Sequence, residues 1–381
     1  MPTLTLGVVA GEASGDELAA AIVDELRGRG TELRLVGVGG PALAERGLDS
    51  LFDPEEIALV GVTAVLAKLP RLVRLIGRTA TSLSDYEPDV LLLVDAPDFT
   101  HRVAGRFRTT RPETPIVKLV APTVWAWRPG RAKALAPIVD EVLAIFPHEP
   151  QVMEELGGPQ TTFIGHPLVH AIPERPARLA PSDPPHVLVL PGSRTREIER
   201  LAAPFGETLA LLRKRIGPFR TTVVTPAGRE KLVRSRIEGW TVPTELVSDA
   251  HGKRAAFEAA DLALAASGTV TLELALHGVP GVVAYKLDAL ERQVARAITS
   301  WAIAMPNILA DRVVMPEVVN ELVRPERMAR LLERLAVPSP ERNAQLEGFA
   351  EVRRRLRTDE RPASLAATRI LALAKPDGTD R

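Results

Sequence analysis

Ala265-Ala266-Ser267-Gly268-Thr269 is a run of small residues between two apolar stretches, with Leu262-Ala263-Leu264 before it and Val270, Leu272, Leu274 and Leu276 after it. The first stretch reads as a short buried strand and the second as a helix capped by Ser267 or Thr269. The leading N–H groups of such a helix have no intrahelical partner and the macrodipole adds positive charge. The turn therefore suits a phosphate resting on Gly268. Glu273, one turn into the helix, can accept hydrogen bonds from the hydroxyls of a sugar that carries the phosphate. A plain capped turn explains the same residues, so a second loop has to decide. Leu190-Pro191-Gly192-Ser193-Arg194 closes another apolar run. There Gly192 permits close backbone approach, Ser193 donates a hydrogen bond and Arg194 can grip two phosphate oxygens at once. Two anion-suited turns on one sheet edge point to a diphosphate.

Carboxylates gather elsewhere. Asp95-Ala96-Pro97-Asp98-Phe99 follows the apolar run 90–94. A carboxylate at a strand's end, stiffened by Pro97, can act as general base on a sugar hydroxyl; Asp95 is preferred, with Glu12 or Asp98 assisting. Gly11-Glu12-Ala13-Ser14-Gly15-Asp16 occupies the first strand-to-helix turn. It lacks G-x-G-x-x-G, and Glu12 would set negative charge against a pyrophosphate, so the loop suits hydroxyls better. Ser14 or Asp16 is expected to cap the helix that follows. Few other oxygen or imidazole ligands lie nearby, and no metal is expected. Trp125 and Trp127 alternate on an extended loop and are expected to cover a domain surface, with His148 and His166 in secondary roles.

Nearly continuous apolar runs at 4–10, 33–38, 90–94, 116–120 and 142–145 alternate with helical spacing, which predicts an α/β fold with a parallel sheet covered on both faces. A proline-rich linker at 173–185 separates domain 1–172 from a second alternating series over 186–340, and helices fill 341–381. In parallel sheets ligands collect beyond the carboxyl ends of the strands, so the cleft between two such sheets is the expected location of a site. Val62, Val65, Leu66, Leu69, Leu72 and Ile76 form an apolar stripe flanked by Lys68, Arg71, Arg74 and Arg78. A basic amphipathic segment of this kind suits a bilayer interface, although most such helices pack on a sheet.

Lysine plus arginine and aspartate plus glutamate both total 48, so no global basic excess argues for nucleic acid. The chain has no cysteine, which removes disulfides, thiolate metal sites and a cysteine nucleophile and suits a cytoplasmic location. The first residues run into a strand pattern without a signal-peptide layout, and no apolar run reaches transmembrane length.

With these residues in hand, the chain resembles the lipid-A-disaccharide synthase family, membrane-surface glycosyltransferases of Gram-negative lipid A assembly. From about residue 4 to 325, the motifs around Gly11, Asp95, Trp125, Gly165, Gly192, Ser267 and Pro306-Asn307-Ile308-Leu309-Ala310 occur in the family's order. Ala284-Tyr285-Lys286, where the family commonly has Gly-Tyr-Arg, Asp311 for a usual glycine and Ala121-Pro122-Thr123 for Ser-Pro-Ser depart from it. The resemblance implies two Rossmann-like parallel-sheet domains facing a cleft (the GT-B fold), with C-terminal helices crossing back to the first domain. It implies transfer of 2,3-diacylglucosamine, with inversion, from UDP-2,3-diacylglucosamine to 2,3-diacylglucosamine 1-phosphate at the inner face of the cytoplasmic membrane, and it admits a homodimer. In that scheme Asp95 takes the acceptor proton, Arg194 and Ser267-Gly268-Thr269 stabilise departing UDP, Glu273 holds ribose and Asn307 contacts donor or nucleotide. No cofactor is required. Another membrane-surface GT-B transferase, such as the lipid-linked peptidoglycan enzyme, and a non-catalytic lipid- or nucleotide-binding relative are the competing readings.

Overall fold

The computed structural model describes residues 3–57, 62–288, 291–293 and 298–374, with the backbone alone over 62–69. The chain divides into two units, Met1–Pro167 with Thr358–Arg381, and Leu168–Arg357.

In the first unit β1 (Leu4–Ala10), α1 (Ala13–Gly28), β2 (Leu33–Val38), α2 (Pro41–Ala44), α3 (Val62–Tyr86), β3 (Val90–Val94), α4 (Pro97–Thr110), β4 (Ile116–Leu119), α5 (Gly130–Leu135), β5 (Glu141–Ala144), α6 (Glu149–Glu155) and β6 (Gln160–Phe163) follow in turn. The strands are parallel in the order β2-β1-β3-β4-β5-β6. Val90 to Val94 are buried throughout, as expected of a strand covered on both faces. The covering on one face comes from α3 and α4, whose Leu72, Leu75, Ile76 and Phe107 share a core with Leu91 and Leu93. Leu72 and Ile76 thus belong to the interior rather than to a membrane surface, because at these positions α3 turns toward the sheet. Val62, Val65, Leu66 and Leu69 lie outside the described side chains. The C-terminal helix Pro362–Ala374 covers the other face, burying Ala366, Ala367 and Ile370 with Leu6 and Leu92. Arg29 ties it down by donating to Thr368 Oγ1 at 2.8 Å and to the Ser364 carbonyl at 2.8 Å.

The second unit begins within α7 (Pro167–Ala171) and carries β7 (His186–Leu190), α8 (Thr195–Ile216), β8 (Arg220–Val224), α9 (Glu230–Ile237), β9 (Glu245–Val247), α10 (Ala250–Ala259), β10 (Leu262–Ala266), α11 (Val270–His277), β11 (Gly281–Tyr285) and β12 (Glu317–Val319). The helix Met305–Ala310 precedes β12, and Pro325–Leu335 and Pro340–Leu356 follow it. The order is β12-β11-β10-β7-β8-β9, again parallel. The division at 167/168 falls ahead of the proline-rich stretch because that stretch is bound to the second unit. Arg353 donates to the Ile172 carbonyl at 3.0 Å, Arg342 to the Arg178 carbonyl at 2.8 Å, and Arg178 pairs with Asp261 at 2.9 Å. These contacts also keep Pro340–Leu356 in the second unit, so of the C-terminal helices only Pro362–Ala374 belongs to the first.

Both sheets have a point where the strand order reverses, between β1 and β3 in the first and between β7 and β10 in the second. Loops that leave adjacent strands in opposite directions open a crevice there. The residues singled out for chemistry stand on those loops: Glu12 after β1, Asp95 after β3, Gly192 to Arg194 after β7, and Ser267 to Thr269 after β10.

Candidate functional site

On the second unit, a pocket of about 610 Å³ opens at the reversal point. It is lined by Gly192, Ser193, Arg194, Ser267, Gly268, Thr269 and Glu273, and further by Thr225, Asp249 and Lys253. Neither expected side chain caps α11. Ser267 Oγ donates instead to the Ile303 carbonyl at 2.7 Å, and Thr269 makes no capping bond. The first helical bond runs from Thr271 N–H to the Gly268 carbonyl at 3.0 Å, leaving the N–H groups of Gly268, Thr269 and Val270 ahead of it. Gly268 has φ +146°, a conformation that glycine adopts without strain, and nothing stands within 4 Å of where its Cβ would be. An anion can approach this helix end closely.

The other turn differs from its expected form. Glu197 Oε2 accepts from both Ser193 N–H and Arg194 N–H, each at 3.2 Å, so an internal carboxylate already fills the start of α8. Gly192, at φ +109°, makes room for that carboxylate, because a Cβ there would stand 2.7 Å from Glu197 Oε2. What this loop offers a ligand is the Arg194 side chain, 78% exposed and paired with Glu197 at 3.1 Å. The sequence reading missed a second cation: Lys253 on α10 meets Glu273 at 2.7 Å inside the pocket. It was hidden because α10 follows β9, an edge strand of three residues with no apolar run to announce it. Asn307 is corrected. It is 1% exposed, accepts from Val314 N–H and Met315 N–H, and donates to the Met315 carbonyl and Glu317, so its hydrogen-bonding capacity is spent fastening Met305–Ala310 to the approach to β12.

On the first unit, Glu12 and Asp95 come together at the other reversal point. Glu12 holds the N-cap position of α1, and Gly15 in its first turn faces Asp95 so closely that a Cβ would lie 2.9 Å from Asp95 Oδ2. Burial raises the Asp95 carboxyl above its ordinary range, opposed by the Lys118 ammonium. Burial, then the charge of Asp95, raises Glu12, with Lys118 again opposing. Lys118 is a residue the sequence reading passed over, although a lysine within the apolar strand 116–120 was the available signal. Asp98 stands apart, 77% exposed and paired with Arg131 at 2.6 Å. Asp16 does not cap α1; it is buried and accepts from Gly40 N–H at 2.7 Å and Ala42 N–H at 2.8 Å, capping α2. Among the described residues no group of three or more histidine, aspartate or glutamate side chains is arranged to hold a metal ion.

Further along the same sheet edge, Glu149 Oε2 accepts from Phe146 N–H at 3.1 Å and Oε1 accepts from Trp125 Nε1–H at 3.4 Å. Burial pushes its carboxyl up to about 8. The His148 ring stands edge-on to Trp125, and Phe146 packs on both His148 and His166. Trp125 therefore belongs to a polar-centred aromatic cluster, not to a simple surface cover.

A glycosyltransferase of kitacinnamycin matches with a TM-score of 0.64 at 18% identity, covering 98% of this chain and 100% of that one. MurG of Acinetobacter baumannii matches with a TM-score of 0.59 at 13% identity, covering 97% and 99%. These likenesses show the fold, two Rossmann-like parallel-sheet domains of the GT-B class. At the level of sequence, the lipid-A-disaccharide synthase of Rhodopseudomonas palustris (strain ATCC BAA-98 / CGA009) is 43% identical over 376 residues, 96% of this chain and 95% of that protein. The family model described as lipid-A-disaccharide synthetase matches residues 6–364. The chain belongs to the lipid-A-disaccharide synthase family.

Proposed function

We propose that this chain joins UDP-2,3-diacylglucosamine to 2,3-diacylglucosamine 1-phosphate by one in-line displacement, giving the lipid A disaccharide 1-phosphate and UDP. The observation that carries the reading is the second unit's pocket, where the open N-terminus of α11, Arg194 and Lys253 surround a space sized for a nucleotide and Glu273 lies within reach of a ribose. The anion side needs no further charge: a diphosphate accepts hydrogen bonds from Gly268, Thr269 and Val270 while the two cations offset charge that grows as the bond to the sugar breaks. Asp95 takes the proton of the acceptor's 6-hydroxyl as that oxygen bonds to the donor's anomeric carbon, and the anomeric carbon–oxygen bond breaks toward UDP. Attack opposite the leaving group inverts the anomeric centre. Glu12 supports the acceptor hydroxyls.

No helix among the described residues is long and apolar enough to cross a membrane. The acylated substrates place the reaction at a bilayer surface, and we assign the chain to the inner face of the cytoplasmic membrane as a peripheral protein. Incubating the chain with both acylated sugars and analysing the lipids by mass spectrometry tests the reading. The expected result is a tetraacyl disaccharide 1-phosphate with one UDP released per linkage. UDP release without that lipid, or no turnover at all, would contradict it.

A further inference from the structure

Asp95 and Ala96 both have left-handed backbone, with φ of 47° and 37°. Two such residues in succession, neither of them glycine, are strained and persist only where surrounding groups hold them. Two groups do so here. Lys118 Nζ donates to the Asp95 carbonyl at 2.8 Å, and Thr100 Oγ1 donates to the carbonyls of Asp95 at 2.9 Å and Ala96 at 3.2 Å. The lysine arrives from the neighbouring strand, since β3 and β4 pair with Leu93 beside Lys118. It is 1% exposed, and its other titratable neighbours are Glu12, in the loop after β1, and His101 from α4. A buried ammonium is expensive to maintain in a sheet core unless something there uses its charge.

We propose that Lys118 is a positioning residue for transfer: its ammonium fixes the strained Asp95 turn and supplies the positive charge that keeps the Asp95 carboxylate ionised beside Glu12. The proposal rests on the reading of Asp95 as the base. Burial pulls Lys118 down to about 8 while Asp95 and Glu12 resist, so the group is predominantly charged at neutral pH. His101 is pushed down to about 3 by burial first and by Lys118 and Arg131 next, so it is neutral there and leaves Lys118 as the cation facing the pair.

A nearby opposite charge lowers a carboxyl pKa, so removing the Lys118 ammonium raises the pH at which Asp95 ionises. In Lys118→Gln, which keeps a donor and loses the charge, and Lys118→Met, which loses both, the acid limb of kcat/KM should move up by about one unit or more. Thr100→Val loosens the turn without touching charge and should lower kcat with the limb in place. Thermal melts and far-UV circular dichroism of each variant report that the unit carrying Lys118 is folded. The proposal is overturned if Lys118→Gln melts like the wild type and its acid limb does not move; should Lys118→Met fail to fold, Lys118→Gln decides alone. A wild-type chain that makes no disaccharide would sink the underlying reading instead.

Discussion

Arg194 and Lys253 are two cations of one pocket, yet only the first was visible before the fold was known. A Gly-Ser-Arg turn after an apolar strand announces itself, whereas Lys253 becomes a site residue only when α10 brings it to Glu273. Asn307 shows the opposite error: the family resemblance of the Pro306-Asn307 motif implied a ligand contact, but the groups that consume its hydrogen bonds lie seven to ten residues onward and no local pattern reveals them. The pocket predicts that Arg194→Ala and Lys253→Ala each weaken UDP binding about tenfold, the value of one charge-assisted hydrogen bond of roughly 1.4 kcal/mol or more. Titration calorimetry checks it, and an unchanged affinity removes that residue from the site.

Periodicity located the buried strands well because a strand covered on both faces must be apolar throughout; β1, β3, β7 and β10 were all legible. It passed over β6, β9 and β12, each an edge strand of three or four residues with largely half-exposed side chains. An edge strand needs one neighbour and little apolar surface, so its sequence resembles a loop. The cost is local: α10, which follows β9, carries Lys253, and without that strand the lysine could not be assigned to a sheet edge, whereas His166 was read at a strand end. The buried Glu149 gives this edge a measurable property. Its folded carboxyl sits near 8 against an ordinary 4.5, so the folded state binds a proton the unfolded chain releases. The stability this supplies is full below about 4.5 and is lost as pH rises through about 8. Thermal melts of Glu149→Gln should therefore gain on the wild type steadily from about pH 5 to about pH 8. A constant difference across that range would mean that Glu149 does not carry the proton.

At the scale of the molecule, each sheet reverses at one point and the residues proposed for the chemistry stand beside it. Two α/β units were legible from alternation alone, but the assignment of their ends was not. Arg342 and Arg353 pin the proline-rich stretch to the second unit, and such buried arginine contacts across many residues leave no sequence period. Helix α3 illustrates the limit of an amphipathic pattern, which records an apolar face without recording what it meets. Leu72 meets the sheet, so Leu72→Ala should cost about 2–5 kcal/mol in denaturant unfolding. Normal stability combined with loss of binding to anionic vesicles would return that residue to the membrane surface. The proposed reaction divides between a base on one unit and a nucleotide pocket on the other, and Asp95→Asn tests that division most directly when transferase rate and UDP affinity are measured on the same preparation. The expected result is a kcat lower by about 100-fold or more with UDP affinity unchanged. A rate near that of the wild type would contradict the account.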